Sequence, residues 1–251
     1  MNKKYKTKRN HDRFPTTHWS AIVAVGSENE EERSRSFETI IEAYWKPVYK
    51  YLRLKWQRDY DKAADLTQAF FLLAMSKNIF NSYNPDKARF RTYLRTCLDR
   101  FVMNEDRAEG AEKRGGGTTL LSLDFRSAER ELDFGDLASQ EISPEEMFHR
   151  EWIRDLFSRS ITELKNRMSN SGKELHFELF SRYDLARDSE NPPSYKSLSV
   201  EFDLPVTQVT NHLAAIRREF RKIVLENIRM LTASEREFTR EVHEVLGVDV
   251  L

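Results

Sequence analysis

The chain has little glycine, proline or cysteine, and each shortage removes a class of protein. Its 251 residues include 8 glycines, 7 prolines and one cysteine, Cys97. So few glycines and prolines disfavour a sandwich or barrel with many tight turns and favour helices. A single cysteine leaves no intramolecular disulfide to form, which agrees with a reducing cytoplasm.

Long apolar runs are missing as well. No stretch of the sequence approaches the roughly 20 apolar residues that a membrane-spanning helix needs. The basic N-terminal arm, residues 1–13, lacks the apolar core of a signal peptide and is predicted to be disordered. We therefore expect a cytoplasmic protein with no membrane partner.

Excess charge of one sign is absent, but the charges are unevenly distributed. Lysine plus arginine and aspartate plus glutamate number 41 each, so the net charge of zero says nothing about a nucleic-acid partner. Basic, acidic and basic blocks follow one another at 87–100, 129–146 and 217–222. This alternation suits contact with a polyanion at two separated places, although a solvated helix face is the plainer interpretation of any one block.

Apolar residues recur at the three-and-four spacing of amphipathic helices in several segments. Pro47 predicts a kink or a break in the first of them, and Asp59 or Asp61 is a plausible cap of the second. The main predicted helices lie at 37–56, 59–78, 90–109, 144–168, 174–184, 195–202 and 206–224. The pattern predicts an all-α protein with two helical domains joined by an acidic linker.

The predicted boundaries follow the composition. The glycine run and the acidic, weakly apolar sequence after it are typical of a linker. After the arm at 1–13 we expect a first domain at 14–112, a linker at 113–143, a second domain at 144–226 and a helical extension at 227–251.

The most specific pattern is a helix-turn-helix in "SYKSLSVEFDLPVTQVTNHLAAIRREFRKIV", residues 194–224. Ser199 supplies the small residue that the helix crossing needs, and Asp203 tolerates the left-handed backbone of a tight turn. Two sets of side chains lie opposite the buried stripe. Those suited to hydrogen bonds with base edges are Thr207, Gln208, Thr210, Asn211 and His212, and those suited to phosphates are Arg217, Arg218 and Arg221. A plain helical hairpin is the alternative.

Metal and catalytic sites have weaker support. Glu146 and His149 have the Glu-x-x-His spacing of bundle di-iron sites, but a second copy is missing and His149 is expected to be a surface histidine. The "KRGGGTT" run lacks the Gly-Lys-Ser/Thr ending of a phosphate-binding loop. Cys97 lies on an apolar stripe and is predicted to pack. We expect no catalytic residue, metal or cofactor, with a metal-dependent helical-bundle enzyme as the alternative.

Three motifs in order carry a family resemblance. "DLTQAFF" supplies Asp65, Leu66, Gln68 and Phe71, "FRTYL" supplies Phe90, Arg91, Tyr93 and Leu94, and the helix-turn-helix follows. Together they resemble a bacterial RNA polymerase sigma factor of the extracytoplasmic-function type, from about Phe14 to Ile223. The opening "FPTTHWSAIV" and "KRGGG" before "LSLDF" are similar to a subgroup with an extended linker. The sequence departs from the family at Ala69, often an acid, and at Arg100, often Asn.

The resemblance implies a non-enzymatic protein that binds the clamp and flap of core RNA polymerase and directs it to promoter DNA. Its first domain would be region two and its second domain region four, whose helix-turn-helix reads the upstream promoter element. An anti-sigma factor is a further kind of partner that the resemblance allows. The acidic linker is suited to a positively lined RNA channel. A stand-alone helix-turn-helix regulator of transcription is the alternative function.

Two further residue sets follow from the resemblance. Polymerase binding would use Asp65, Gln68, Phe71, Leu72 and Met75. The downstream promoter element would contact Arg89, Arg91, Tyr93, Arg95 and Arg100, with core packing an equal alternative for Tyr93. A helical wheel puts Leu66, Phe70 and Leu73 in the core, so the polymerase-binding set is predicted to be exposed.

Overall fold

The structure, a computed structural model, describes residues 20–109, 121–132, 142–186 and 193–248. Over these ranges every regular element is helical, so the predicted all-α class is confirmed. The predicted N-terminal arm and all of "KRGGGTT" lie outside the described residues. No helix in the described ranges combines the length and the hydropathy of a transmembrane segment.

The chain divides into two compact units. Unit 1 comprises 1–155 and 228–251, and unit 2 comprises 156–227. The first elements along the chain are α1 (Ala21–Ala24), α2 (Glu30–Leu54), α3 (Tyr60–Ser76), a 3-10 turn (Ile79–Ser82), α4 (Phe90–Glu109) and α5 (Phe125–Arg130). Those that follow are α6 (Pro144–Asn170), α7 (Glu174–Phe180), a π turn (Ser181–Leu185), α8 (Tyr195–Glu201), α9 (Val206–Met230) and α10 (Glu235–Leu246).

This division differs from the predicted boundaries in two places. The start of α6 belongs to unit 1, whereas the second domain was predicted to begin at 144. The residues from 228 onward also belong to unit 1, although they were predicted to be a separate extension. Both differences arise because sequence periodicity finds a helix but not the helix against which it packs.

Side-chain caps explain where several helices begin. Asn29, Asp59 and Ser234 accept hydrogen bonds from the backbone N–H groups of Glu32, Lys62 and Glu237, which starts α2, α3 and α10. Asp59 is therefore the cap of α3. Ser143 starts α6 as predicted, with its Oγ 3.1 Å from the backbone nitrogen of Glu146.

The predicted break at Pro47 does not occur. Helix α2 continues through this buried proline from Glu30 to Leu54. A proline removes one backbone donor and crowds the preceding turn, but burial of the stripe on both sides of it holds the helix together.

Aromatic rings form the centre of unit 1. The ring of Tyr44 lies 5.5 Å from that of Phe90 and 6.5 Å from that of Trp152. Phe80, in the 3-10 turn, packs against Phe37 of α2 and Phe90 of α4, at 5.7 and 5.3 Å between ring centroids. These contacts fix α4 against α2, and so fix the N-terminal end of α4 where the predicted downstream arginines lie.

The C-terminal residues of unit 1 form one more amphipathic helix, α10. Phe238 and Val242 are buried on one face of α10, and Gly247 ends it in a left-handed conformation with φ of 64°. Before this helix, the carbonyl of Thr232 accepts a hydrogen bond of 2.7 Å from Ser20 at the other end of the chain. The tail is therefore packed into unit 1.

Unit 2 contains the predicted helix-turn-helix. Leu198 of α8 packs in one cluster with Val209, Leu213 and Ile216 of α9, all of them buried. The turn between the helices is closed by the backbone N–H of Leu204 donating to the carbonyl of Ser199 at 3.0 Å. The two-helix arrangement and its buried stripe are thus confirmed.

The tight turn depends on Asp203, whose φ of 50° lies in the left-handed region. The left-handed conformation costs a β-branched residue most, so we expect Asp203→Val to lower the free energy of unfolding by about 1–2 kcal/mol. Asp203→Gly should stay within about 0.5 kcal/mol of the wild type, because relief of strain is offset by a freer unfolded chain. Urea unfolding followed by circular dichroism measures both; equal stability of the two variants would contradict this account of the turn.

Candidate nucleic-acid interface

The predicted downstream surface begins at the N-terminal end of α4. Arg89 precedes the helix, while Arg91 and Arg95 lie four residues apart on one face of it. Arg100 is exposed further along the helix. The arginines differ in what surrounds them.

Arg89 and Arg91 are paired with carboxylates of α10. Nη2 of Arg91 lies 2.9 Å from Oε1 of Glu244, and its Nη1 contacts Glu241. Arg89 contacts the same two residues, with its Nε 3.5 Å from Oε1 of Glu241. The guanidinium of Arg91 also lies 5.1 Å from the ring centroid of Trp152, and the residue is 6% exposed. Arg91 is thus buried and paired in this conformation, and its contact with the downstream promoter element stays a prediction.

The two carboxylates respond differently to this environment. Burial raises the pKa of Glu241 above its usual value, although Arg91 and Arg89 act to lower it. Burial also acts to raise the pKa of Glu244, but here the positive charges of Arg91 and Arg89 prevail and lower it. Since Glu244 reaches more solvent, its negative charge is the less costly of the two to hold beside the arginines.

A third carboxylate of α10, Glu237, fixes the start of α4. Its Oε1 accepts hydrogen bonds from the backbone N–H of Phe90 at 2.9 Å and from the hydroxyl of Tyr83 at 2.6 Å. Its Oε2 accepts from the backbone N–H of Ala233 at 2.7 Å. Burial, together with the charge of Glu237, raises the pKa of the Tyr83 hydroxyl. A carboxylate at this position satisfies backbone donors that the first turn of a helix leaves free.

Arg95 is also engaged within unit 1. Its Nη1 lies 2.9 Å from Oδ2 of Asp99, whose other oxygen accepts hydrogen bonds of 3.1 Å from Tyr51 and from Trp56. Burial raises the pKa of Tyr51 to about 12. Of the predicted downstream cations, Arg100 is therefore the one that the structure leaves exposed.

Tyr93 has a packing role. Its hydroxyl donates to the carbonyl of Ile79 at 2.7 Å, and its ring packs at 5.5 Å from that of Tyr83. Burial raises the pKa of Tyr93 to about 12. Tyr93 therefore packs within unit 1, as the core-packing alternative predicted.

On α3, only part of the predicted polymerase-binding set is exposed. Asp65 and Met75 are exposed and Leu72 is partly so. Phe71 is 1% exposed and packs against Phe70, and Gln68 is 8% exposed. The predicted exposure of Phe71 and Gln68 is wrong, because the helical wheel could not show a second packing partner on that side of α3.

For Gln68 that partner is the segment 121–132, which was predicted to be linker. The Oε1 of Gln68 accepts a hydrogen bond of 3.2 Å from the backbone N–H of Leu121. The ring of Phe125 in α5 packs edge-on against Trp45 of α2, at 5.4 Å between centroids. This part of the acidic stretch thus folds onto α2 and α3.

Its acidic residues meet a basic face of α2. Glu131 contacts Lys46 at 2.8 Å and Lys50 at 3.0 Å, and Glu129 contacts Arg53 at 2.5 Å. The hydrogen bond from Arg53 lowers the pKa of Glu129. The linker acids were predicted to lie in a positively lined polymerase channel. Two of them, Glu129 and Glu131, are already paired with cations of α2 in this structure.

The predicted reading surface in unit 2 lies at the start of α9. Thr207, Gln208, Thr210 and Asn211 are all exposed there, opposite the buried stripe. Arg218 and Arg221 are exposed further along the helix. The polar side chains therefore lie where a recognition helix would present them to base edges.

Two members of the predicted set are drawn inward. The Nδ1 of His212 lies 2.9 Å from the Nε2 of His176 on α7, and both residues are half-buried. Arg217 forms two hydrogen bonds with Asp184, at 2.9 and 3.0 Å, and lies 5.2 Å from the ring centroid of Tyr183. In this conformation His212 and Arg217 bind neighbouring helices of unit 2, so their predicted DNA contacts are not preformed.

Glu146 and His149, the Glu-x-x-His pair, have different partners in the structure. His149 stacks beside Trp152 at 6.3 Å and its Nε2 lies 2.7 Å from Glu244, so the prediction of a surface histidine is wrong. Glu146 instead accepts a hydrogen bond from Arg150 at 3.0 Å. Over the described part of the chain, no group of three or more metal-ligating side chains converges.

Sequence reasoning missed the acidic partners of the predicted cations. On α10, Glu237, Glu241 and Glu244 recur at spacings of four and three, which makes one acidic stripe beside the apolar stripe of Phe238 and Val242. That stripe, read together with the arginines at 89 and 91, is the signal that could have found the contact. Comparison of the chain with protein-family models, with curated proteins and with solved structures finds no match.

We expect Gln68→Ala to lower the free energy of unfolding by about 1 kcal/mol, because the backbone N–H of Leu121 loses its acceptor. Urea unfolding measures the change. Gln208→Ala on the exposed part of α9 is the matched control and should stay within about 0.5 kcal/mol of the wild type. If both substitutions are equally harmless, the contact between Gln68 and Leu121 contributes nothing to stability.

The stability of unit 2 should fall in mild acid through His176. Burial, with the charges of His212 and Lys173, lowers the pKa of His176. The unfolded chain then binds more protons, so this contribution to stability is present above the unfolded pKa and is lost as the pH falls from about 7.5 to about 5.5. Melting followed across this range should show a smaller loss in His176→Gln than in the wild type, with His243→Gln, at an exposed position of α10, as the control. An unchanged pH dependence in His176→Gln would contradict the assignment.

Proposed function

We propose that the chain is a sigma factor that binds core RNA polymerase and directs promoter recognition and transcription initiation, without chemistry of its own. The observation that carries this proposal is the helix-turn-helix of unit 2, with exposed polar side chains at the start of α9. The ordered motifs of α3 and α4 support the sigma-factor assignment over other helix-turn-helix proteins.

Upstream recognition would use the exposed start of α9. Gln208 and Asn211 carry amides that can donate and accept at a base edge in the major groove. Arg218 and Arg221 lie further along the helix, where guanidinium groups suit phosphates. Direct readout at one end and charge neutralisation along the helix would together place the protein on duplex DNA.

Polymerase binding would use the accessible side of α3. Asp65 supplies a charge there, and Leu72 and Met75 supply apolar surface. Gln68 and Phe71 would support this surface from below, since both are buried. An exposed acidic residue beside apolar side chains is the kind of surface that marks a partner site on a soluble protein.

One observation favours the second candidate, a stand-alone helix-turn-helix regulator. The reading side chains of α9 are exposed, whereas Arg89 and Arg91 of the predicted downstream surface are already paired. A regulator of this kind would need only α9, would bind a specific duplex tightly without polymerase and would commonly be a symmetric dimer.

The deciding experiment is reconstitution of the full chain with purified core RNA polymerase. We expect co-purification of the two and transcripts from defined promoters in the genome of the source organism. Asp65→Lys should weaken association with the core enzyme at least about tenfold, a loss of about 1.4 kcal/mol, with little change in melting temperature.

Glu38→Lys, which makes the same charge change at an exposed position of α2, is the matched control and should bind as the wild type does. Equal losses in both variants would assign the effect to net charge. No association with core enzyme, together with tight sequence-specific binding of the free chain to DNA, would replace the sigma-factor proposal with the regulator.

A further inference from the structure

The acidic stripe of α10 covers the arginines at the start of α4. Glu241 and Glu244 contact both Arg89 and Arg91. The side chain of Arg91 is 7% exposed and that of Arg89 is 28% exposed. The N–H groups that the motif assigns to DNA phosphates are thus directed at carboxylate oxygens of the same chain.

We propose that α10 is an internal competitor of DNA, which masks the Arg89–Arg91 surface until its carboxylates are displaced. The nature of the ligand rests on the proposed function, since it takes nucleic acid as the polyanion that α4 binds. The masking itself rests on the observed ion pairs.

Competition follows from the chemistry of the guanidinium group. A carboxylate and a phosphate both offer paired oxygens to the same planar fork of donors, and one fork cannot satisfy both at once. Two carboxylates held beside two arginines therefore raise the cost of bringing a phosphate to either of them. The free chain should bind DNA more weakly than its cationic surface implies.

Helix α10 has an anchor that does not depend on these charges. Phe238 and Val242 are buried, and Glu237 binds the backbone of α4 through Phe90. Removing the charges of Glu241 and Glu244 should therefore leave the helix in place while releasing the arginine donors. The fold and the masking can for this reason be tested separately.

Glu244 is the better position for the test because its side chain is 30% exposed, against 4% for Glu241. Glu235 supplies a matched control: it lies on α10 as well, its side chain is 57% exposed, and it pairs with Arg229 instead of the α4 arginines. Glu244→Gln and Glu235→Gln remove the same charge from the same helix.

The probe is a fluorescein-labelled DNA duplex with an unpaired central segment, titrated with the full-length chain and followed by anisotropy at several salt concentrations. We expect Glu244→Gln to bind the probe about tenfold more tightly than Glu235→Gln, and the double variant Glu241→Gln/Glu244→Gln to bind it more tightly still. Each newly formed phosphate contact should steepen the dependence of log K on log salt by about 0.7–0.9.

The gain should require the arginine that is released. Adding Arg89→Gln to Glu244→Gln should remove most of the increase in affinity, whereas adding Arg126→Gln, an exposed arginine of α5, should not. Melting temperatures of Glu244→Gln and Glu235→Gln should agree, which shows that affinity changes without unfolding.

Equal affinity of Glu244→Gln and Glu235→Gln for the probe would overturn the masking, as would a gain that survives Arg89→Gln. Absence of any DNA binding in every variant would overturn it too. Transcription with core polymerase is measured on the same proteins and decides the proposed function independently. A tighter-binding Glu244→Gln that never supports transcription would retain the masking and reject the sigma factor.

Discussion

The contact between α10 and the start of α4 organises unit 1. Glu237 satisfies the backbone donor of Phe90 and the hydroxyl of Tyr83, and Glu241 and Glu244 neutralise Arg89 and Arg91. A carboxylate buried without partners costs several kcal/mol, so Glu237 and Glu241 can be buried only where donors and cations meet them. The apolar face of α10 provides the driving force for docking, and the acidic stripe fixes the register.

The same physics operates at α2, where Glu129 and Glu131 of the segment 121–132 meet Arg53, Lys46 and Lys50. In these two places the charge blocks at 87–100 and 129–146 meet opposite charges from α10 and α2, which fits a net charge of zero. A chain that neutralises its own basic faces presents less of them to a polyanion. Charge patterning alone could not distinguish a basic face that pairs with the chain's own carboxylates from one that binds nucleic acid, because both need lysine and arginine.

Unit 2 is different, since the residues that suit DNA are largely exposed there. The start of α9 carries Thr207, Gln208, Thr210 and Asn211 on the side away from the Val209 and Leu213 stripe. The contacts of His212 with His176 and of Arg217 with Asp184 bind the middle of α9 to the rest of the unit. Such contacts position α9 and occupy two side chains that were predicted to contact DNA.

The sequence by itself determined the helices, because their caps and apolar periodicity are local. Asp59 and Ser143 mark helix starts, the stripe of Phe90, Leu94 and Leu98 marks the buried side of α4, and Asp203 marks the turn. Only the tertiary structure decided which polar residues are available. Gln68, Arg91 and His149 lie on helix faces that a wheel leaves in solvent, yet segments more than fifty residues away cover them. Helix periodicity records that a face is polar, but the charge or hydrogen bond that meets it comes from elsewhere in the chain.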